Sequence, residues 1–164
     1  MKRTHLQKAI ALLTTTAMAA CGPAEDNKTI AKRVSEEVVF QNQSLELIAD
    51  NFTYYPGTPP PGVTQMNRSE TLASWAGIRA TFKDTKITWL HINAEAEWVS
   101  LHYSLTATLV PNCVFGLAAV PGKTATWKGY VTRQIQNGQV VNEWDLVDLN
   151  AMLPQFGVTG APCK

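Results

Sequence analysis

The chain has 164 residues, of which 45% are hydrophobic and 16% are charged. This length suffices for one compact domain with a buried core, and the composition excludes an intrinsically disordered chain. The formal net charge is +1, and the sequence has no basic stripe of the kind that binds nucleic-acid phosphates, so a nucleic-acid partner is not expected.

The first twenty residues have the pattern of an export signal. Lys2, Arg3 and Lys8 are basic, no acidic residue accompanies them, and a run of apolar or small residues follows. This run is shorter than the ~20 apolar residues that a membrane-spanning helix needs. We therefore predict that residues 1–20 are a signal peptide and that the mature protein is exported.

The end of this segment, Met18-Ala19-Ala20-Cys21, resembles a bacterial lipobox. It predicts that Cys21 is acylated and that the lipid holds the protein at a membrane surface, as in a periplasmic or membrane-anchored bacterial lipoprotein. Residues 21–27 would form a tether. The alternative is ordinary cleavage after Ala19, which leaves Cys21 free or paired.

If Cys21 carries lipid, Cys113 and Cys163 remain as a pair that can form a disulfide. An oxidising compartment outside the cytoplasm permits such a bond. The alternative is two separate buried thiols, because sequence alone does not bring the two Cα atoms together.

The first half of the chain is predicted to be mostly helical. Apolar residues recur at four-residue spacing from Ile30 to Val38, which is typical of one helix face. A short second helix is predicted over residues 44–52, with Ser44 as its N-cap. The proline-rich segment 54–62 is predicted to be a rigid loop.

The next helix is expected to begin with a capping box formed by Asn67 and Glu70, with Ser69 as the alternative cap, and to end near Phe82. Strands follow, because apolar and polar residues alternate in the second half of the chain. Predicted strands span residues 86–93, 97–109, 124–135 and 139–148, with a hairpin turn at 137–138 and a terminal helical turn in 149–157. Helices followed by a meander of strands indicate an α+β fold.

This order of elements resembles the SnoaL-like polyketide cyclases and ester cyclases, a branch of the NTF2-like superfamily. The matching stretches are NKTIAKRVSEEV, ADNF, PPPG, RATFKDTKI and, most specifically, QNGQVVNEWDLVDLNAMLPQFG. The resemblance implies an NTF2-like cone over residues 28–157, in which a curved antiparallel sheet wraps around N-terminal helices. Residues 158–164 would be a C-terminal tail. It also implies a small hydrophobic ligand, no cofactor, and a homodimer formed through the outer sheet face.

In the cyclases, an Asp on the last long strand is the acid/base group of an intramolecular aldol closure. The resemblance makes Asp145 its counterpart here. A carboxylate in a dry cavity is a better proton acceptor than one in water, so the role is chemically reasonable. The alternative is an exposed Asp at a strand end. For Asp148, which precedes the terminal helix, we predict an N-cap instead.

The pairing of the last two strands decides what surrounds Asp145. A two-residue turn at 137–138 pairs Asp145 with Tyr130, whereas a three-residue loop with a bulge moves the partner to Val131 or Gly129. The alternation of residues 124–135 favours Tyr130. That register predicts a polar cluster, which either lines a cavity or faces water.

The residues that we predict to contact the ligand are aromatic or acidic: Tyr54, Tyr55, Trp75, Tyr130 and Glu143. The chain also departs from the family, because Val131, Leu109 and Tyr54-Tyr55 stand at positions that are usually polar. These departures leave an alternative open, namely a non-catalytic ligand-binding or structural lipoprotein. A metal site built from the two strand histidines, His91 and His102, is not expected, since zinc catalysis needs three protein ligands.

Overall fold

A computed structural model of the chain describes residues 26–57 and 62–163. The predicted signal peptide, Cys21 and most of the predicted tether lie outside these residues. Within the described part, no helix combines the length and the apolar character that crossing a membrane requires.

The first helix, α1 (Asn27–Arg33), begins at Asp26, whose carboxylate accepts a hydrogen bond from the backbone N–H of Thr29. It continues as a π-helical segment over Val34–Val39. The apolar residues at four-residue spacing, from Ile30 to Val38, are buried as predicted. A π-helical segment of this kind is uncommon and is frequent at functional sites.

The predicted second helix is wrong. After a single 3₁₀ turn at Leu45–Leu47, the chain forms a strand, β1 (Ile48–Tyr55), and the predicted loop begins only after it. Ser44 has a left-handed backbone and no cap hydrogen bond, and its hydroxyl bonds the Glu37 carboxylate instead. Burial of alternate residues, Phe52 and Tyr54, stabilises the strand and overrides the local helix signal.

A two-residue strand, β2 (Met66–Asn67), leads directly into the helix α2 (Arg68–Thr81). Both hydrogen bonds of the predicted capping box are present: the Glu70 N–H donates to Asn67 Oδ1 at 3.0 Å, and the Asn67 N–H donates to Glu70 Oε2 at 2.9 Å. The helix ends at the predicted place, because Phe82 is already extended.

The second half of the chain forms the rest of the main sheet. Its long strands are β3 (Phe82–Glu95), β4 (Trp98–Leu109), β7 (Thr124–Gln136) and β8 (Gln139–Val147). The spatial order is β2-β1-β8-β7-β4-β3, and all pairs are antiparallel except β1 with β8. The fold is the predicted α+β arrangement of a curved sheet and helices, with apolar residues packed between the two layers.

A β-bulge in β8 sets the register of the last hairpin. The turn has the predicted two residues, since Gln136 pairs with Gln139 and Ile135 with Val140. The next residue of β7, Gln134, pairs with Asn142. Val141 is therefore the extra residue, and it is buried beside Val140. Asp145 consequently pairs with Val131, and the favoured pairing with Tyr130 is wrong.

The bulge also reverses which side chains of β8 face the helices. Beyond Val141, Glu143 and Asp145 face inward, whereas Leu146 is 57% exposed on the outer face. Without the extra residue, the alternation of the strand would have placed the two carboxylates outside.

The C-terminal part closes one end of the sheet. The helix α3 (Leu149–Gln155) is followed by a tail that pairs with a small hairpin, β5 (Cys113–Val114) and β6 (Leu117–Ala118). A disulfide joins Cys113 to Cys163, with their Cα atoms 5.8 Å apart. The tail is thus attached covalently to the hairpin.

Candidate functional site

A cavity of about 120 Å³ lies between the helices and the inner face of the sheet. Its walls are mainly apolar and include seven aromatic side chains, Phe40, Tyr54, Trp75, Phe82, Tyr103, Phe115 and Trp127. Polar groups come from one side, where Ser35, Arg133, Glu143 and Asp145 meet. Phe115 is 65% exposed, so the cavity reaches the surface at the β5–β6 hairpin.

Asp145 is held by the loop that follows β1. The backbone N–H of Gly57 donates a hydrogen bond to Asp145 Oδ1 at 3.0 Å. The two backbones are so close that a Cβ on Gly57 would lie 2.1 Å from the Asp145 carbonyl oxygen. Only glycine fits at this point, and its absence of a side chain allows the loop to fix the carboxylate.

Two tyrosines stand next to this carboxylate. Burial raises the pKa of Tyr54, and the negative charges of Asp145 and Glu143 and a hydrogen bond with Asp145 act in the same direction. Burial likewise raises the pKa of Tyr103, again reinforced by the charges of Asp145 and Glu143. Both hydroxyls therefore keep their protons and can donate hydrogen bonds into the cavity.

On the polar side of the cavity, Arg133 and Glu143 form a buried ion pair. Arg133 Nε lies 2.6 Å from Glu143 Oε2, and the two residues are 1% and 3% exposed. Arg133 Nη1 also donates to the Ser35 hydroxyl at 2.9 Å and to the Ala31 carbonyl oxygen. Burial raises the pKa of Glu143, as does the charge of Asp145, and the Arg133 guanidinium opposes both.

The position of Tyr103 depends on a glycine in the neighbouring strand. Gly129 is paired with Tyr103 across β4 and β7, and a Cβ at this position would lie 2.3 Å from the Tyr103 hydroxyl oxygen and 2.9 Å from the Leu146 carbonyl oxygen. Gly129 therefore provides the space in which the tyrosine ring lies. A glycine inside a strand often marks such a close approach.

We expect Gly129→Ala to displace Tyr103 and to lower the free energy of unfolding by about 1–3 kcal/mol, because the added methyl group overpacks the site. Urea denaturation measures the change. The control is Gly77→Ala in α2, where a Cβ meets no atom within 4 Å, and there a small gain of about 0.5–1 kcal/mol is expected. Equal stability of the two variants would contradict the proposed packing.

The structure brings together some of the predicted ligand-contacting residues and not others. Tyr54, Trp75 and Glu143 line the cavity with Asp145. Tyr55 lies outside it and stacks on Trp144 at 4.8 Å between ring centroids.

Tyr130 lies on the outer face of the sheet and is 54% exposed. Its ring stacks on that of His102, with the ring centroids 4.2 Å apart. Tyr130 is absent from the cavity because the alternation of β7 is uninterrupted, and it therefore lies on the face opposite to Val131. Asp148 caps α3, with its Oδ1 accepting from the Ala151 N–H at 2.9 Å.

Several cavity residues were not predicted from the sequence. Tyr103 lies in the predicted strand over residues 97–109, but it was not predicted to belong to the site. Arg133 follows Val131 at the two-residue spacing of the same strand face, which was a signal for an inward-pointing arginine. Ser35 and Phe115 had no recognisable signal, because their roles depend on the π-helical segment and on the small hairpin.

No cluster of three or more His, Cys, Asp or Glu side chains suited to a metal ion occurs among residues 26–57 and 62–163. The cavity is lined by two acidic residues, Glu143 and Asp145, and Glu143 already forms an ion pair with Arg133.

The model of the family described as SnoaL-like polyketide cyclase matches residues 13–156. The chain belongs to this family. No curated protein matches this SnoaL-like chain significantly in sequence.

Solved structures of similar fold include IdmH from Streptomyces antibioticus, a proposed polyketide cyclase. It is 24% identical, the match covers 82% of this chain and 100% of that chain, and the TM-score is 0.66. A SnoaL-like protein from Jannaschia sp. CCS1 is 15% identical over 82% and 94% of the chains, with a TM-score of 0.67. AclR from Streptomyces galilaeus, a proposed hydroxylase, is 18% identical over 80% of both chains, with a TM-score of 0.66.

Proposed function

We propose that this SnoaL-like protein transforms a small hydrophobic carbonyl compound by acid/base proton transfer at Asp145, without a cofactor. The observation that carries the proposal is a carboxylate in a mostly apolar cavity, fixed by the Gly57 N–H and next to two tyrosine hydroxyls. Family membership supports a role in transforming a small molecule.

In the proposed reaction, Asp145 accepts a proton from the carbon next to the carbonyl group. The C–H bond breaks, the proton moves to the carboxylate, and the electron pair forms an enolate. The hydroxyl of Tyr54 or Tyr103 donates a hydrogen bond to the enolate oxygen, which lowers the barrier most effectively in a water-poor cavity. Asp145 then returns the proton to carbon or oxygen, so that no cofactor is consumed.

The size of the cavity limits the reacting group. A volume of about 120 Å³ is somewhat smaller than the roughly 150 Å³ of an engineered cavity that holds benzene. The enclosed part of the substrate therefore has about six non-hydrogen atoms, and a larger molecule would extend through the opening at Phe115.

The test is deuterium exchange of the α-hydrogens of cyclopentanone in heavy water, followed by NMR. We expect the protein to accelerate this exchange and Asp145→Asn to reduce the acceleration by about 10²–10⁴-fold, since the base is lost and the shape is kept. Asp50→Asn, which changes an exposed carboxylate on β1, is the control and should exchange at the original rate. Equal rates for the protein and Asp145→Asn would refute catalysis at this residue.

A non-catalytic ligand-binding module is the second candidate. It is favoured by Val131, which lines the cavity at a position that is usually polar in cyclases. The same exchange experiment distinguishes the two, because a binding module would not accelerate exchange.

We also propose that the protein is exported and anchored through Cys21, and that it forms a homodimer through the outer sheet face. The Cys113–Cys163 disulfide supports an oxidising compartment. A lateral row of side chains on the outer face supports a contact surface: His91, His102, Tyr130 and Leu146 are successive partners across four strands.

A further inference from the structure

The charges around the cavity do not balance. Among the described residues that line the cavity, the one basic side chain is that of Arg133. Its Nε atom lies 2.6 Å from Glu143 Oε2. A guanidinium keeps its proton in proteins, and an unpaired buried one would be strongly destabilising, so Glu143 serves as its counter-ion. The pair as a whole is therefore neutral.

Asp145 has no such counter-ion. Among residues 26–57 and 62–163, no lysine or arginine forms an ion pair with it. Its neighbours are the Gly57 N–H and the Tyr54 hydroxyl, which are polar but uncharged. One carboxylate thus remains without a cationic partner in a cavity whose walls are mainly apolar.

The walls of the cavity suit a positive partner for this charge. Seven aromatic side chains line it, and the electron-rich faces of aromatic rings attract organic cations. The attraction between opposite charges is also stronger here than in water, because the surroundings are apolar. An anion would be repelled by Asp145, and a strongly hydrated metal ion would lose water that aromatic walls do not replace.

We propose that the cavity binds a small organic ammonium ion, with Asp145 as its counter-ion and the aromatic side chains as its walls. The inference rests on the proposed function only in taking this cavity as the ligand site, and binding requires no turnover. If both hold, the substrate is a small carbonyl compound that carries an ammonium group.

The experiment compares choline with its neutral carbon isostere, 3,3-dimethylbutan-1-ol, by isothermal titration calorimetry. The two molecules have the same shape and differ by the charge. We expect choline to bind about tenfold more tightly, the effect of an enclosed cation against aromatic rings and a carboxylate.

Two variants test whether the preference for choline depends on Asp145. In Asp145→Asn, the difference between the two ligands should nearly disappear, and in Asp50→Asn it should remain. Thermal melting of both variants establishes that they fold, and the comparison of ligands on the unmodified protein needs no variant.

Equal or tighter binding of the neutral alcohol, absence of choline binding at millimolar concentration, or a preference that survives in Asp145→Asn would each overturn the inference. Its failure is distinguishable from failure of the proposed reaction. If the protein accelerates cyclopentanone exchange but does not prefer choline, it catalyses a reaction of neutral ketones. If it prefers choline but does not accelerate exchange, it is a cation-binding module.

Discussion

Arg133→Met is expected to lower the free energy of unfolding by about 3–5 kcal/mol, the largest effect that we predict for a single substitution. The change leaves the buried Glu143 carboxylate without its counter-ion. It also removes the donor that satisfies the Ser35 hydroxyl and the Ala31 carbonyl oxygen at the π-helical segment. Urea denaturation followed by tryptophan fluorescence measures the loss.

The chain provides a matched control for this variant. Arg33 also pairs with a glutamate, Glu37, at 2.8 Å, but these side chains are 31% and 27% exposed. Arg33→Met should therefore cost no more than about 1 kcal/mol. If Arg133→Met costs no more than Arg33→Met, the buried pair is not a major determinant of stability.

A double variant separates the loss of an attraction from the presence of an unpaired charge. When Glu143→Leu is added to Arg133→Met, both charges are gone and the stability should partly recover. A double variant that is less stable than Arg133→Met would mean that Glu143 stabilises the fold through other contacts.

Replacement of both Cys113 and Cys163 by Ser is expected to lower the free energy of unfolding by about 4 kcal/mol in the chain-entropy model. The reason is the sequence separation of 50 residues between the two cysteines, because the bond restricts a long loop in the unfolded chain. Differential scanning calorimetry with and without a reducing agent measures the effect.

Reductant provides the internal control for this second prediction. It should lower the melting temperature of the unmodified protein toward that of the double Ser variant, and it should leave the variant itself unchanged. An unmodified protein that melts at the same temperature with and without reductant, despite verified reduction, would contradict a stabilising role for the disulfide.

Much of the fold could be predicted because its signals are local. The capping box of Asn67 and Glu70 and the alternation along residues 97–109 each report a neighbourhood of a few residues. The failure at residues 48–55 has a tertiary cause. That segment becomes a strand because it pairs with β8, which lies almost 90 residues further along the chain.

The site was predicted less completely, because its geometry depends on one unpaired residue. Val140 and Val141 are adjacent and both apolar, so the sequence does not reveal that both are buried. The bulge that results turns Asp145 inward, whereas Tyr130 faces outward because of the regular alternation of β7. Arg133, in contrast, lies two residues after Val131 in a strand of regular alternation, so its inward position could have been recognised.

The bulge at Val141 divides β8 into two parts, and the side chains that point inward follow a different alternation in each part. A deletion of this single residue would keep the hairpin turn and the pairing near it, yet would exchange the inner and outer side chains of the remaining strand. Trp144 and Leu146 would then fill the interior, and Asp145 would face solvent. Deletion of one codon would therefore convert a domain whose cavity contains a carboxylate into one whose interior is filled by side chains. This is a short evolutionary path between a catalytic and a purely structural role.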